Sequence, residues 1–411
     1  MAANFLHNFL STLVSRALVF LLGLVLARNL GAEVYGEFVL IRSAAQIIET
    51  SFGIGLGVVA AKVFLSNPSQ LKNFTLCVVI AQLLSIFSFF LYWYYYSSDG
   101  RALTFLFIVA VYAFFTSSFH YCVNCLKGIG LFKYVSLSVL SYYIISLLIV
   151  LFSTTFWPNL FVVFISFVFS FLVVLVGVFI FFRKSIVLFL KSSGGLFLNV
   201  IPFIKKDAVP IFLSSIFSPL FLWLLNIVIA SSQDGVSSLA FFNIAYLLYG
   251  LMTLVPIVIA EVHFKKLNTL ATDYKIQKSF VLSSAKLIMV FSVSNSFLFY
   301  FASDFIPKVY GSEYEESVFL FKVFILASLF SSTLPLLGKV FLLNGYAKLN
   351  LYSNLMWGVS VICFTKFFEL NVNESIHVSA SYAFLCSYVL LSTFQWLFYL
   401  RGVYENNSPN C

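Results

Sequence analysis

Arg42, Gln46, Glu49 and Gly53 recur at three- and four-residue spacing inside an otherwise apolar stretch. At roughly 100° per residue they fall at about 0°, 40°, −20° and 20° around a helix axis, so one face stays polar over about three turns. A guanidinium on such a face can hold an anion, and a carboxyl can carry a proton or a sodium ion. Arg42 and Glu49 would lie about 10 Å apart along the axis, too far for a direct pair. Each is therefore expected to meet a substrate, an ion or a neighbouring helix. The competing expectation is an interhelical hydrogen-bonding stripe that only holds a bundle together. Gly53, Gly55 and Gly57 follow it and allow close backbone approach.

Other polar groups stand where apolar ones are expected. Arg16 lies about 10 Å into the first apolar run, where a charge costs roughly 2.5–3.5 kcal/mol unless it faces protein or water. It either lines a wet cavity or snorkels to head groups. Thr116, His120, Asn124 and Lys127 form a milder stripe on the fourth run; His120 is either an interhelical hydrogen-bonding group or a proton relay. Lys286 and Lys322 add positive charge to the second half, and each either faces a cavity or snorkels. Glu315 or Glu316 is the expected partner for Lys322. Positive charge is thus in excess within the apolar runs. A cavity lined by Arg16, Arg42 and Lys286 would attract a phosphate or pyrophosphate, with Arg28 and Lys322 completing the cationic set. Glu49 is the candidate for ion coupling, and Gln46, His120 and Asn124 form a secondary polar stripe.

The elements that must carry these groups follow from composition. The chain has 411 residues, of which 61% are hydrophobic and only 9% charged, with a mean hydropathy of +1.02. Soluble domains carry about 25% charged residues, so a water-soluble globule is excluded. A hydrocarbon core of roughly 30 Å needs about 20 helical residues per crossing. Twelve runs satisfy this: 9–30, 36–62, 73–96, 102–126, 132–156, 159–182, 208–231, 237–262, 280–302, 317–342, 348–368 and 376–400. They lack period-two alternation, which excludes a membrane β-barrel. No cleavable signal is expected, because residues 1–8 hold no Lys or Arg.

With the N-terminus in the cytoplasm, sixteen Lys and Arg residues fall on inner connections and four (Arg28, Arg101, Lys308 and Lys366) on outer ones. Both termini are therefore expected to be cytoplasmic. The formal charge of +9 is a topology signal, and nucleic acid is not an expected partner. Residues 1–182 form a first six-helix bundle, 183–207 a cytoplasmic amphipathic linker, and 208–411 a second bundle. Both bundles start on the same side, so a parallel repeat is expected. Leu126–Lys133 and Leu343–Lys348 occupy equivalent turns, and Tyr35-Gly36-Glu37-Phe38 and Leu239-Ala240-Phe241-Phe242 open equivalent crossings. Pro210, Pro219, Pro256 and Pro335 are expected to bend the second half.

No motif for cofactor, nucleotide or metal chemistry is present in the sequence. Cys122-x-x-Cys125 lies within an apolar run and needs further ligands to make a zinc site. No phosphate-binding loop occurs, and no connection is long enough for a nucleotide-binding domain. An enzyme is not expected, and no cofactor is implied.

Ser15-Arg16 and Ala27-Arg28-Asn29-Leu30-Gly31-Ala32-Glu33-Val34-Tyr35-Gly36-Glu37-Phe38 resemble the opening signature of the polysaccharide (O-antigen, Wzx-like) flippases. These belong to the multidrug/oligosaccharidyl-lipid/polysaccharide (MOP) exporter superfamily. Pro210, Gly235, Ala240–Tyr246 and Leu343–Lys348 are similar to the same family's pattern, so the resemblance runs through essentially the whole chain. It implies an all-α integral membrane protein of about twelve transmembrane helices, in two six-helix bundles around a central cavity, with a MATE-like fold. It implies a bacterial inner membrane and translocation of an undecaprenyl-pyrophosphate-linked oligosaccharide, such as an O-antigen unit destined for lipopolysaccharide, from the cytoplasmic to the periplasmic leaflet. Alternating access coupled to a proton or sodium gradient would drive it. By the same resemblance Arg16 and Arg42 bind pyrophosphate, Arg28 holds the outer end of the first crossing, and Glu49 couples an ion. A polysaccharide polymerase and a chain-length regulator are the implied protein partners, with the phospholipid bilayer around them. Lipid-II flippases share some of these elements, but Leu21 and Leu22 stand where further arginines are expected in them. The alternatives are a multidrug or toxin efflux antiporter of the same superfamily, which favours an acidic cavity, and an O-antigen polymerase, which needs a long outer loop that this chain lacks.

Overall fold

The computed structural model describes residues 2–66, 70–96, 103–128, 131–191, 201, 204, 208–232, 235–270, 274–372 and 374–401. Among them the chain is helical, with no strand. The expected linker 183–207 lies mostly outside the described residues. Its first part continues α6, which ends at Lys191.

Helix α1 (Ala2–Ile48) leads into a π-helical turn, Glu49–Gly55, and then into α2 (Leu56–Ser66). Leu13–Val63, 51 residues, is continuously helical and contains an apolar stretch long enough to cross a membrane. At ~1.5 Å per residue it would measure over twice a hydrocarbon core of ~30 Å, so it cannot be one crossing. It turns at Gly31, whose φ of 75° suits a residue without a Cβ. Among the described residues eleven such segments are long and apolar enough to cross a membrane, and the break at Gly31 divides the first into two. The remaining helices are α3 (Leu71–Tyr96), α4 (Leu103–Gly128), α5 (Phe132–Phe156), α6 (Leu160–Lys191), α7 (Val209–Ala230), α8 (Gly235–Met252), α9 (Leu254–Thr269), α10 (Tyr274–Ala302), α11 (Ile306–Tyr310), α12 (Glu316–Ser331), α13 (Leu334–Leu343), α14 (Ala347–Val372) and α15 (Ile376–Leu400). The chain is a multi-pass all-α membrane protein of about twelve crossings.

Two compact units divide it, Met1–Trp223 and Leu224–Cys411, with the boundary inside α7. In the first unit α1 packs on α5, and the π-turn and α2 pack on α4. Lipid tails are as apolar as leucine, so close packing and interhelical hydrogen bonds must hold such helices together. A Cβ on Gly53 would stand 2.8 Å from the Ser117 carbonyl, and one on Gly57 2.9 Å from the Tyr121 carbonyl. Those two glycines therefore let the second crossing reach the backbone of α4. An aromatic core lies beside them: Phe38 meets Phe164 at 5.6 Å, and Tyr142 stacks on Phe171 at 4.2 Å. Asn29 of α1 donates to Thr154 of α5 at 2.8 Å.

In the second unit α12 packs on α8 and α15, and α14 on α15. Phe324, Phe384 and Tyr249 form its aromatic centre, and the Tyr249 hydroxyl donates to Ser331 at 2.8 Å. The crossing made of α8 and α9 breaks at Thr253. Pro256 has no N–H for the Met252 carbonyl, which instead accepts from Asn295 Nδ2 at 3.4 Å. Pro335 coincides with a similar break between α12 and α13.

Local features recur between the units. Gly31 and Gly235 both have positive φ, and the eighteenth residue after each, Glu49 and Thr253, is where the helix departs from α geometry. The two equivalent turns close alike: the Leu131 N–H donates to Leu126 O at 3.1 Å, and the Tyr346 N–H to Phe341 O at 2.8 Å. In the second, Gly345 has φ 81° and completes a helix C-cap. Asn344 and Gln277 of α10 exchange side-chain amide hydrogen bonds at 3.0 and 3.2 Å, which fixes that turn against its neighbour. Residues 129–130 of the first turn lie outside the described residues.

Candidate functional site: a charged pair beside arginine and tyrosine

Glu49 opens the π-turn because α1 carries the polar face up to that point and the close approach at Gly53 brings α4 alongside. Glu49 Oε1 lies 3.0 Å from His120 Nε2 of α4, with the side chains only 22% and 18% exposed. A carboxylate withdrawn from water needs such a partner, since an isolated buried charge is costly. His120 can serve as a neutral hydrogen-bond donor or as an imidazolium, so the pair can hold or release a proton without leaving the carboxylate unpartnered.

Arg42, about two turns earlier on the same face, is half-buried, with its guanidinium carbon 5.9 Å from the centroid of the Phe38 ring. It is within electrostatic reach of Glu49 and of the tyrosines Tyr112, Tyr142 and Tyr143. Arg16, from the first crossing, is exposed and within reach of Tyr143. Tyr112 also faces Thr116 on its own helix. Helix α1, the π-turn, α4 and α5 supply two guanidiniums, a carboxylate, an imidazole and three phenols. With His120 neutral the charges leave the patch positive by one unit; with His120 protonated, by two.

The other expected site residues lie elsewhere. Gln46 is exposed, and Asn124 donates back to the His120 carbonyl at 2.8 Å, so the amide serves its own helix. Arg28 is exposed close to the Gly31 turn. Lys322 pairs with Asp304 at 3.3 Å and lies 5.3 Å from the Tyr300 ring. This corrects the expected partner, Glu315 or Glu316: the helix turns Lys322 toward the end of α10 and the short 3-10 turn that follows it. Lys286 is exposed on α10. Sequence reasoning missed the tyrosines. Tyr112 could have been found, since it extends the four-residue spacing of Thr116, His120 and Asn124 by one step; Tyr142 and Tyr143 gave no such signal.

Helices of this number and arrangement define a class. Over 96% of both chains, at 13% identity and a TM-score of 0.73, the fold is similar to an inward-facing multidrug resistance MATE family transporter of the MOP superfamily. It is also similar to the eukaryotic MATE transporter AtDTX14 (12% identity, 98% of this chain and 96% of that one, TM-score 0.68). A third likeness is to a MOP superfamily transporter from Pyrococcus furiosus, described as having a binding pocket of reverse polarity (12% identity, 97% and 95%, TM-score 0.62). The fold is thus that of the MOP-superfamily transporters. Residues 1–264 match the model of the polysaccharide biosynthesis protein family, and the chain belongs to that family. No curated protein matches it.

Proposed function

We propose that this protein is a flippase for a lipid-linked oligosaccharide, moving a glycan carried on undecaprenyl pyrophosphate from the cytoplasmic to the periplasmic leaflet of a bacterial inner membrane by alternating access. The observation that carries the proposal is the positive patch in the first unit, where half-buried Arg42 stands within reach of Tyr112, Tyr142 and Tyr143 and exposed Arg16 within reach of Tyr143. A pyrophosphate suits guanidinium by bidentate geometry, and phenol hydroxyls supply further donors. Membership of a polysaccharide biosynthesis family supports a glycan as the cargo. Glu49 and His120 are the proposed coupling site for a proton or sodium ion. The regions 1–182 and 208–411 are the proposed moving bundles.

The test is to replace each arginine. Arg42→Ala and Arg16→Ala are expected to insert normally while cutting surface polysaccharide at least tenfold and leaving lipid-linked oligosaccharide on the cytoplasmic leaflet. Normal surface polysaccharide in both variants would refute the proposal. A multidrug efflux role, suggested by the names of the structural relatives, predicts instead that the variants alter drug resistance and leave polysaccharide intact.

A further inference from the structure

In the second unit, a cavity of about 490 Å³ opens at the end where α8, α12 and α15 begin. That volume falls within the ~300–1,000 Å³ range of small-molecule sites. The charged patch around Glu49 has no residue in it. At its base His377, 4% exposed, is held through both ring nitrogens. Nδ1 lies 3.0 Å from Ser238 Oγ on α8, and Nε2 lies 3.0 Å from Ser375 Oγ and 2.8 Å from Glu316 Oε2 on α12. Phe241 stands edge-on to the imidazole at 5.7 Å. A buried imidazole tied to three helix starts is a rigid floor, and it fixes the direction of the Glu316 carboxylate, whose side chain is 61% exposed.

The rim combines carboxylates with rings. Glu374 is exposed, Phe319 is 46% exposed, and Tyr382 meets Phe319 edge-on at 6.0 Å. Two carboxylates disfavour an anion here. Among the described residues no three His, Cys, Asp or Glu side chains group to hold a metal ion. Glu316 is already engaged by an imidazole, so its remaining acceptor capacity is suited to hydroxyl donors more than to a cation needing an uncompensated charge. The Glu316 and Glu374 carboxylates can accept from the hydroxyl groups of a neutral polyol. An exposed aromatic face offers the apolar platform for the C–H face of a sugar ring.

We infer that this cavity is a saccharide subsite that takes one pyranose ring of the transported glycan, by stacking on Phe319 and Tyr382 and hydrogen bonding to Glu316 and Glu374. The inference rests on the flippase reading for the arrival of a glycan, and by the expected topology the cavity faces the periplasm. It would receive the sugar as it emerges, far in function from the patch that holds the phosphate.

The probes are the methyl glycosides of glucose, galactose, mannose, rhamnose, N-acetylglucosamine and N-acetylgalactosamine, with tetraethylammonium as the cationic comparison. Binding to the full-length protein in nanodiscs is followed by saturation-transfer NMR. At least one glycoside is expected to bind saturably in the millimolar range. Phe319→Ala and Glu374→Gln, both at exposed positions, are expected to weaken it tenfold or more, whereas Gly177→Ala in the first unit leaves it unchanged. No saturable binding by any glycoside, equal binding in wild type and both variants, or tighter binding of tetraethylammonium than of every glycoside overturns the subsite. Glycoside binding that is lost in Phe319→Ala, alongside normal surface polysaccharide in both Arg42→Ala and Arg16→Ala, keeps the subsite and sinks the translocation reading. The opposite pair of results does the reverse.

Discussion

At the scale of single residues, the Glu49–His120 pair governs what the first unit can do. The two groups come from different helices and each supplies the other's polar partner at 3.0 Å. Removing the imidazole strands a carboxylate that is only about a fifth exposed, a loss of roughly 1–3 kcal/mol. His120→Ala is therefore expected to lower the melting temperature in detergent, and Glu49→Gln to relieve most of that loss in the double variant. Strict additivity of the two effects would show that the side chains do not act as a pair. Glu49→Gln by itself is expected to abolish the dependence of translocation on the ion gradient in proteoliposomes; unchanged dependence removes Glu49 from coupling. The polar face carrying Arg42 and Glu49 was legible from spacing alone. The partner was not, since His120 and Asn124 share one stripe and only the packing on α4 turned His120 toward the carboxylate while Asn124 bonded to its own backbone.

At the scale of elements, the second crossing is shaped by a π-turn that places an extra residue in each turn over Glu49–Gly55. Such insertions re-aim side chains, and here the turn starts at the carboxylate. Its contact with α4 depends on Gly53: a methyl there would lie 2.8 Å from a backbone carbonyl that cannot swing aside. Gly53→Ala is expected to cost about 1–3 kcal/mol and to lower transport together with stability. Gly177→Ala, with nothing within 4 Å of the added carbon, is the control and is expected to be neutral or slightly stabilising in thermal melts. Equal effects at both positions would mean that close approach is not what Gly53 provides. The breaks in the second unit were readable from Pro256 and Pro335, because a missing N–H leaves a carbonyl one turn earlier without its helical donor, although Pro219 stands inside α7 with no such break. The π-turn has no such mark in the sequence; it follows from a fit between two helices.

At the scale of the whole molecule, an even number of crossings such as twelve would return the chain to the side on which it began. An enzymatic reporter fused after Cys411 is expected to be active only in the cytoplasm, as is one fused before Met1. Periplasmic activity of the C-terminal fusion beside a cytoplasmic N-terminal one would require an odd number of crossings, whereas periplasmic activity of both would invert the proposed direction of every loop. The repeated turns, with positive φ at Gly31 and Gly235 and matching closures at Leu131 and Tyr346, argue that the two units share one local plan. They diverge in chemistry: the first carries Glu49 at its helix break, and the second carries Thr253. The approximate number of crossings and their helical nature followed from the sequence by itself, because hydrocarbon admits only helices or closed barrels, and the long apolar runs lack the period-two alternation of a barrel. Tertiary structure alone decided which polar groups meet. Side chains remote in the chain, such as His377, Ser238 and Glu316, or Arg42 and Tyr143, come together through helix packing, and helix packing depends on shape at each contact more than on any periodic pattern along one strand of sequence.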